Sequence, residues 1–119
     1  TGKGLTVEIT TDDYTVQYDK DTATIRLAGF LRLNGMEEYQ PVMNVLLGAV
    51  DHATQLTIDL RQLEFLNSSG ISMLSMFIVK VRDMGTIDLT LCGSDKILWQ
   101  TKSLKNLQRL MPRLTLEFA

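Results

Sequence analysis

The chain has 119 residues, 45% hydrophobic and 22% charged, with a formal net charge of -2. That apolar content at that length builds one core and excludes a largely disordered chain. The lone Cys92 excludes an intrachain disulfide framework, no apolar run reaches the about 20 residues of a membrane-spanning helix, and the near-neutral balance argues against nucleic acid as the main partner.

Residues 1–60 hold four basic and nine acidic side chains, and residues 61–119 hold eight and five. Two ordinary solvated faces account for such a split, although it could also steer a charged partner.

Apolar and polar residues alternate with period two in several segments, the pattern of strands with one buried face. Leu5, Val7 and Ile9 form the first set, and Tyr14, Val16 and Tyr18 the second. Asp19-Lys20-Asp21-Thr22 reads as a turn into a strand carrying Ala23, Ile25, Leu27 and Leu31, interrupted by Gly29. A helix follows with Met36, Tyr39, Met43, Leu46, Leu47 and Val50 on one face. Pro41 suits a first turn, so regular helix is expected only from about Tyr39. Leu56, Ile58 and Leu60 mark the next strand.

A second helix is expected from Asn67-Ser68-Ser69-Gly70 to about Met84, closed by Gly85 in a left-handed cap. Ile87, Leu89 and Leu91 give a further strand. The third helix is expected after Gly93, capped by Ser94 or Asp95 and stopping by Pro112. Leu114, Leu116 and Phe118 form the last strand. No strand is a continuous aliphatic run, so the expected fold is α/β, a two-layer sandwich with helices mainly on one face of the sheet.

The most informative stretch runs from Leu56 to Ile71, where a buried strand delivers two hydroxyls and a glycine to a helix N-terminus. The unpaired N–H groups there favour an anion, so a phosphate on Ser68 would sit in a favourable field. Asn67 and Ser68 also serve as plain caps, with Gly70 easing a crowded junction.

The element order, with Ile58-Asp59-Leu60, Phe65-Leu66-Asn67-Ser68-Ser69-Gly70-Ile71 and, more weakly, Leu27-Ala28-Gly29-Phe30-Leu31, resembles a STAS domain. That is the family of bacterial anti-sigma factor antagonists and of the cytoplasmic ends of sulfate transporters. The resemblance covers about residues 14–118 and implies a mixed β-sheet. Residues 1–13 are then an extra N-terminal strand or an added extension of a single domain, 1–119. The family's further helix after the last strand is absent from a sequence ending at Ala119, and an exposed edge there suggests weak self-association.

Phosphorylatable antagonists carry Asp-Ser-Ser-Gly or Asp-Ser-Thr-Gly, and a partner serine kinase phosphorylates the first hydroxyl. The matching residue is Ser68, and the resemblance implies that phosphate turns partner binding off. This chain departs from the pattern with Asn67 before the hydroxyls and Arg32 where the family has an aspartate after its glycine strand. Both should lie at one end of the sheet, where Arg32 could pair with a phosphate on Ser68.

Arg32, Asn67, Ser69 and Gly70 are therefore expected to bind a partner, extended along the second helix by Met73, Met76 and Phe77. Met84 shares that side, and flexible methionines beside an aromatic suit docking, although neighbouring helices could bury them instead. Trp99 could anchor an interface or cover the core edge.

No catalytic constellation is legible. His52 is the single histidine, Asn67-Ser68-Ser69-Gly70 is not a hydrolase elbow, and His52 with Cys92 makes no zinc site. The sequence thus predicts a cytoplasmic bacterial regulatory domain that is not an enzyme and carries no cofactor or metal. Its expected partner is an anti-sigma factor or serine protein kinase. The alternatives are an unphosphorylated scaffold of the same fold in a signalling complex, and a small-anion or nucleotide binder using Arg32 and the second helix N-terminus.

Overall fold

The computed structural model describes residues 6–119, so Leu5 of the first expected strand lies outside the described residues. Six strands form one sheet in chain order: β1 (Thr6–Thr10), β2 (Tyr14–Asp19), β3 (Thr24–Leu31), β4 (Gln55–Leu66), β5 (Asp88–Gly93) and β6 (Thr115–Phe118). β1, β2 and β3 pair antiparallel, and β4, β5 and β6 each add parallel to the strand before.

The three parallel crossovers are α1 (Gly35–Val50), α2 (Ser68–Met84) and α3 (Leu98–Gln108). Each steps to the next strand in the same direction, so right-handed connections put all three helices on one face. The strand sequences agree. Val16, Tyr18, Ile25, Leu27, Leu56, Ile58, Leu89 and Leu91 are buried beneath the helices, while the intervening Gln17, Arg26, Thr57 and Thr90 are not. The mixed sheet and one-sided helix layer expected from the sequence are those of the structure.

Four local details differ from expectation. Ala23 is not in β3 but ends the turn at a left-handed φ of 49°. α1 begins at Gly35 and contains Pro41 in its interior. Pro41 is exposed, and the burial of Tyr39, Val42, Met43, Val45 and Leu46 on the opposite side outweighs the backbone bond it removes. α3 starts at Leu98 after Ile97, not at a Ser94 or Asp95 cap. Ser94 instead shapes a preceding turn, its Oγ accepting from the Lys96 N–H at 3.2 Å.

The fourth difference is in β4, which continues past Leu60 to Leu66. Its register against β3 slips between Arg26 and Ala28 and again between Gly29 and Phe30. Each slip puts two consecutive residues outward, Arg61-Gln62 and then Glu64-Phe65, while Leu60, Leu63 and Leu66 stay buried. Gln100 of α3, 0% exposed, closes the irregularity. Its Nε2 donates to the carbonyls of Leu60 (2.6 Å) and Leu63 (2.9 Å), and its Oε1 accepts from the Ser94 N–H at 2.8 Å. Trp99 Nε1 donates to the Glu64 carbonyl at 2.9 Å. The start of α3 is thus tied to the bulged end of β4.

Candidate functional site

The C-terminal ends of β3 and β4 pair at Leu31 and Leu66, so Arg32 and Asn67 emerge side by side, with the Asn67 N–H donating to the Leu31 carbonyl at 3.2 Å. Asn67 is the N-cap of α2, its Oδ1 accepting from the Gly70 N–H at 2.9 Å. The same Oδ1 lies 2.7 Å from the Tyr39 hydroxyl, which also stands 3.1 Å from the Leu31 carbonyl. Asn67 Nδ2 donates to the Leu33 carbonyl at 2.7 Å. One amide therefore joins β3, α1 and α2 through donor and acceptor together. Burial pushes the Tyr39 phenol pKa up, so it stays a neutral donor.

The two serines differ. Ser69 is half-buried, and its Oγ accepts from the Gly35 N–H at 3.4 Å, linking α2 to the start of α1. Ser68 is exposed as the first residue of α2. Gly70 is buried where a Cβ would meet the Leu66 side chain and stand 2.7 Å from the Tyr39 hydroxyl oxygen, so a larger residue forces both side chains to shift. Arg32 is exposed, and its guanidinium carbon lies 5.3 Å from the centre of the Phe30 ring. It makes no ion pair among the described residues.

Three expected partner-binding residues are corrected. Gly70 is buried against Leu66 and Tyr39, and Met73 and Phe77 are 0% exposed and belong to the core. The strand order puts α2 in the middle of the helix layer, so α1, α3 and the sheet cover three of its sides. Met76, 47% exposed, keeps its outward position, as does Met84. His52 follows the far end of α1, at the opposite end of the sheet from Ser68, so the two cannot form a nucleophile–base pair.

Two structural residues were missed as such. Asp59, read only as part of the motif, lies on the helix-free face at 4% exposure. It accepts from Arg61 Nε and Nη2, both at 2.9 Å, and from Arg26 Nε at 3.3 Å. The hydrogen bonds from Arg61 lead in lowering its carboxyl pKa to about 2. Gln100 was also missed, though its spacing from Ile97, Leu104 and Leu107 puts an amide in an apolar stripe, which is a readable signal of a buried polar tie. Cys92 is half-buried, and burial followed by the nearby Glu117 raises its thiol pKa, making it a poor nucleophile. Among the described residues, no group of three His, Cys, Asp or Glu side chains could hold a metal, and no helix is long and apolar enough to cross a membrane.

No protein-family model and no curated protein matches the sequence. Solved structures do. A chain in the crystal structure of the diguanylate cyclase SiaD in complex with its activator SiaC from Pseudomonas aeruginosa superposes with a TM-score of 0.72 at 14% identity, covering 95% of this chain and 99% of that one. SiaC of Pseudomonas aeruginosa gives 0.70 at 15% identity, covering 96% and 95%. Apo-SiaC gives 0.61 at 17% identity over 96% of each chain. At these identities the likeness is one of fold: this chain shares the fold of SiaC, here a mixed six-stranded sheet with a three-helix layer.

Proposed function

We propose that this chain is a cytoplasmic, non-enzymatic regulatory domain that works by binding a partner protein and is switched by phosphorylation of Ser68. The observation that carries the reading is the exposed Ser68 hydroxyl at the head of α2, beside a cap network that holds the backbone around it fixed. A phosphate there meets the helix dipole and unpaired N–H groups, so it changes the surface charge without disturbing the core.

The fold likeness to SiaC, named as the activator of a diguanylate cyclase, supports a partner that is an enzyme whose activity this chain sets. The STAS resemblance points within that class to a serine protein kinase or anti-sigma factor. Arg32, Asn67 and Ser69 form the rim of the site, and Met76 continues it along α2.

The test isolates the chain with its native partner and compares the affinity of that partner for the unmodified chain, Ser68→Ala and Ser68→Glu. Ser68→Ala should bind like the unmodified chain and Ser68→Glu at least about tenfold more weakly, about 1.4 kcal/mol. Equal affinities for all three remove the switch. Intact mass after incubation with ATP and the partner should show one added phosphate on the unmodified chain and none on Ser68→Ala.

A further inference from the structure

The outward surface of the helix layer is chemically lopsided. α1 carries Glu37 and Glu38 and no basic residue. α2 carries Lys80 and Arg82 against Asp83, and Asp83 is already engaged by Arg82 at 3.1 Å. α3 carries Lys102 and Lys105 and no acid.

These charges are arranged in lines. On α2, exposed Ser68, Ser72, Met76 and Lys80 follow one another at every fourth residue, so a single line leads away from Ser68. On α3, exposed Leu98, Lys102, Lys105 and Arg109 recur at spacings of four, three and four. Both helices start at the C-terminal end of the sheet and run back across it, and Arg82 Nη1 donates to the Leu110 carbonyl at 3.3 Å near their far ends. The two helices therefore run side by side in the same direction, with Arg82 on the α3 side of α2 and Lys80 on the α1 side, beside Leu47, Val50, Asp51 and Asp83.

Leu98, 90% exposed, stands at the head of the α3 line, and Met76, 47% exposed, at the middle of the α2 line. Among the described residues, Lys102, Lys105 and Arg109 have no acidic partner. Apolar anchors set among unpaired cations favour a partner with the opposite arrangement.

We propose that the outer surface of α2 and α3 is a docking site for an acidic amphipathic helix of a partner protein, seated on Leu98 and Met76 and held by Lys102, Lys105 and Arg109. The proposal rests on the reading of Ser68 as the switch only for its regulation: a phosphate at the head of the α2 line repels an acidic partner and so releases it. The overall net charge of -2 and the apolar anchors favour a protein over a nucleic acid as the occupant.

The probe is a synthetic amphipathic peptide of leucine and glutamate, with a twin in which lysine replaces glutamate. Trp99, the single tryptophan, sits beside Leu98, so its emission reports binding, and amide chemical shifts map the site. The glutamate peptide should move α2 and α3 resonances and bind more weakly as salt is raised, and the lysine twin should not bind. The double variant Lys102→Glu/Lys105→Glu, altered only at exposed positions, should weaken the glutamate peptide at least about tenfold. Leu98→Asp should weaken it as well, with the thermal unfolding of both variants unchanged.

Equal binding of the two peptides, binding of neither, or shifts confined to the helix-free face overturn the proposal. So does an oligonucleotide that competes as well as the glutamate peptide. If charge reversal weakens the peptide while Ser68→Glu leaves it unchanged, the docking site stands and the phosphate switch fails.

Discussion

Asn67 makes two contacts that a carboxylate cannot make together. Its oxygen caps α2 at the Gly70 N–H, and its Nδ2 donates to the Leu33 carbonyl at 2.7 Å. An aspartate, the residue that STAS antagonists carry before the paired hydroxyls, would keep the cap but turn an anionic oxygen toward that carbonyl. Asn67→Asp should lower stability by about 1–3 kcal/mol at neutral pH, read from urea unfolding midpoints.

Asp59 contributes through its charge. Its folded pKa, about 2, lies below the ordinary 3.8, so its stabilising contribution is present above pH 4 and fades as pH falls toward 2. The guanidinium groups of Arg26 and Arg61 are about half exposed, so solvent screening discounts the contribution to on the order of 1–2 kcal/mol. Asp59→Asn should be less stable than the unmodified chain at pH 6, and the gap should narrow steadily from pH 4 to pH 2. A constant gap across that range would show that the side chain acts through packing and not through its charge.

At the scale of elements, Gln100 decides how β4 ends. Its amide supplies the donor for the Leu60 and Leu63 carbonyls, two backbone acceptors that the bulged register turns toward α3. Gln100→Ala leaves both without that donor and opens a cavity, at a cost of about 2–4 kcal/mol in thermal unfolding. Amide exchange should quicken at the C-terminal end of β4 and at Ser94 while the β1–β2 hairpin is unaffected. Uniform loss of protection would instead mean that the bulge and the rest of the sheet open together.

The elements differ in how far the sequence exposed them. α2 was legible at both ends because its signals are local: Asn67 caps the start and Gly85, at a φ of 70°, closes it. α1 and α3 were misread where local rules met tertiary demand. Pro41 is tolerated because the buried side of α1 outweighs one missing bond, and α3 begins late because Trp99 and Gln100 are anchored to β4. The candidate site divides in the same way. Ser68 and its neighbours lie together at one sheet end, as the parallel strand pattern implies, whereas Met73 and Phe77 turned out to be core. Helical spacing separates the sides of α2, but it does not say which of them a neighbouring helix covers.

For the whole molecule, the charge split between the halves of the chain becomes a split across the helix layer. The acidic first half places Glu37 and Glu38 on α1, and the basic second half places its unpaired cations along α3. By itself the sequence determined the faces of the strands, the one-sided α/β architecture and the start of α2, because alternation, crossover handedness and capping act over a few residues or follow from element order. Only the tertiary structure decided that Asn67 bonds a tyrosine 28 positions away, that Gln100 reaches a carbonyl 40 positions away, and which side of α2 meets water. The physical reason is that a buried polar group must be satisfied by whatever the fold brings next to it, and no local pattern records that partner.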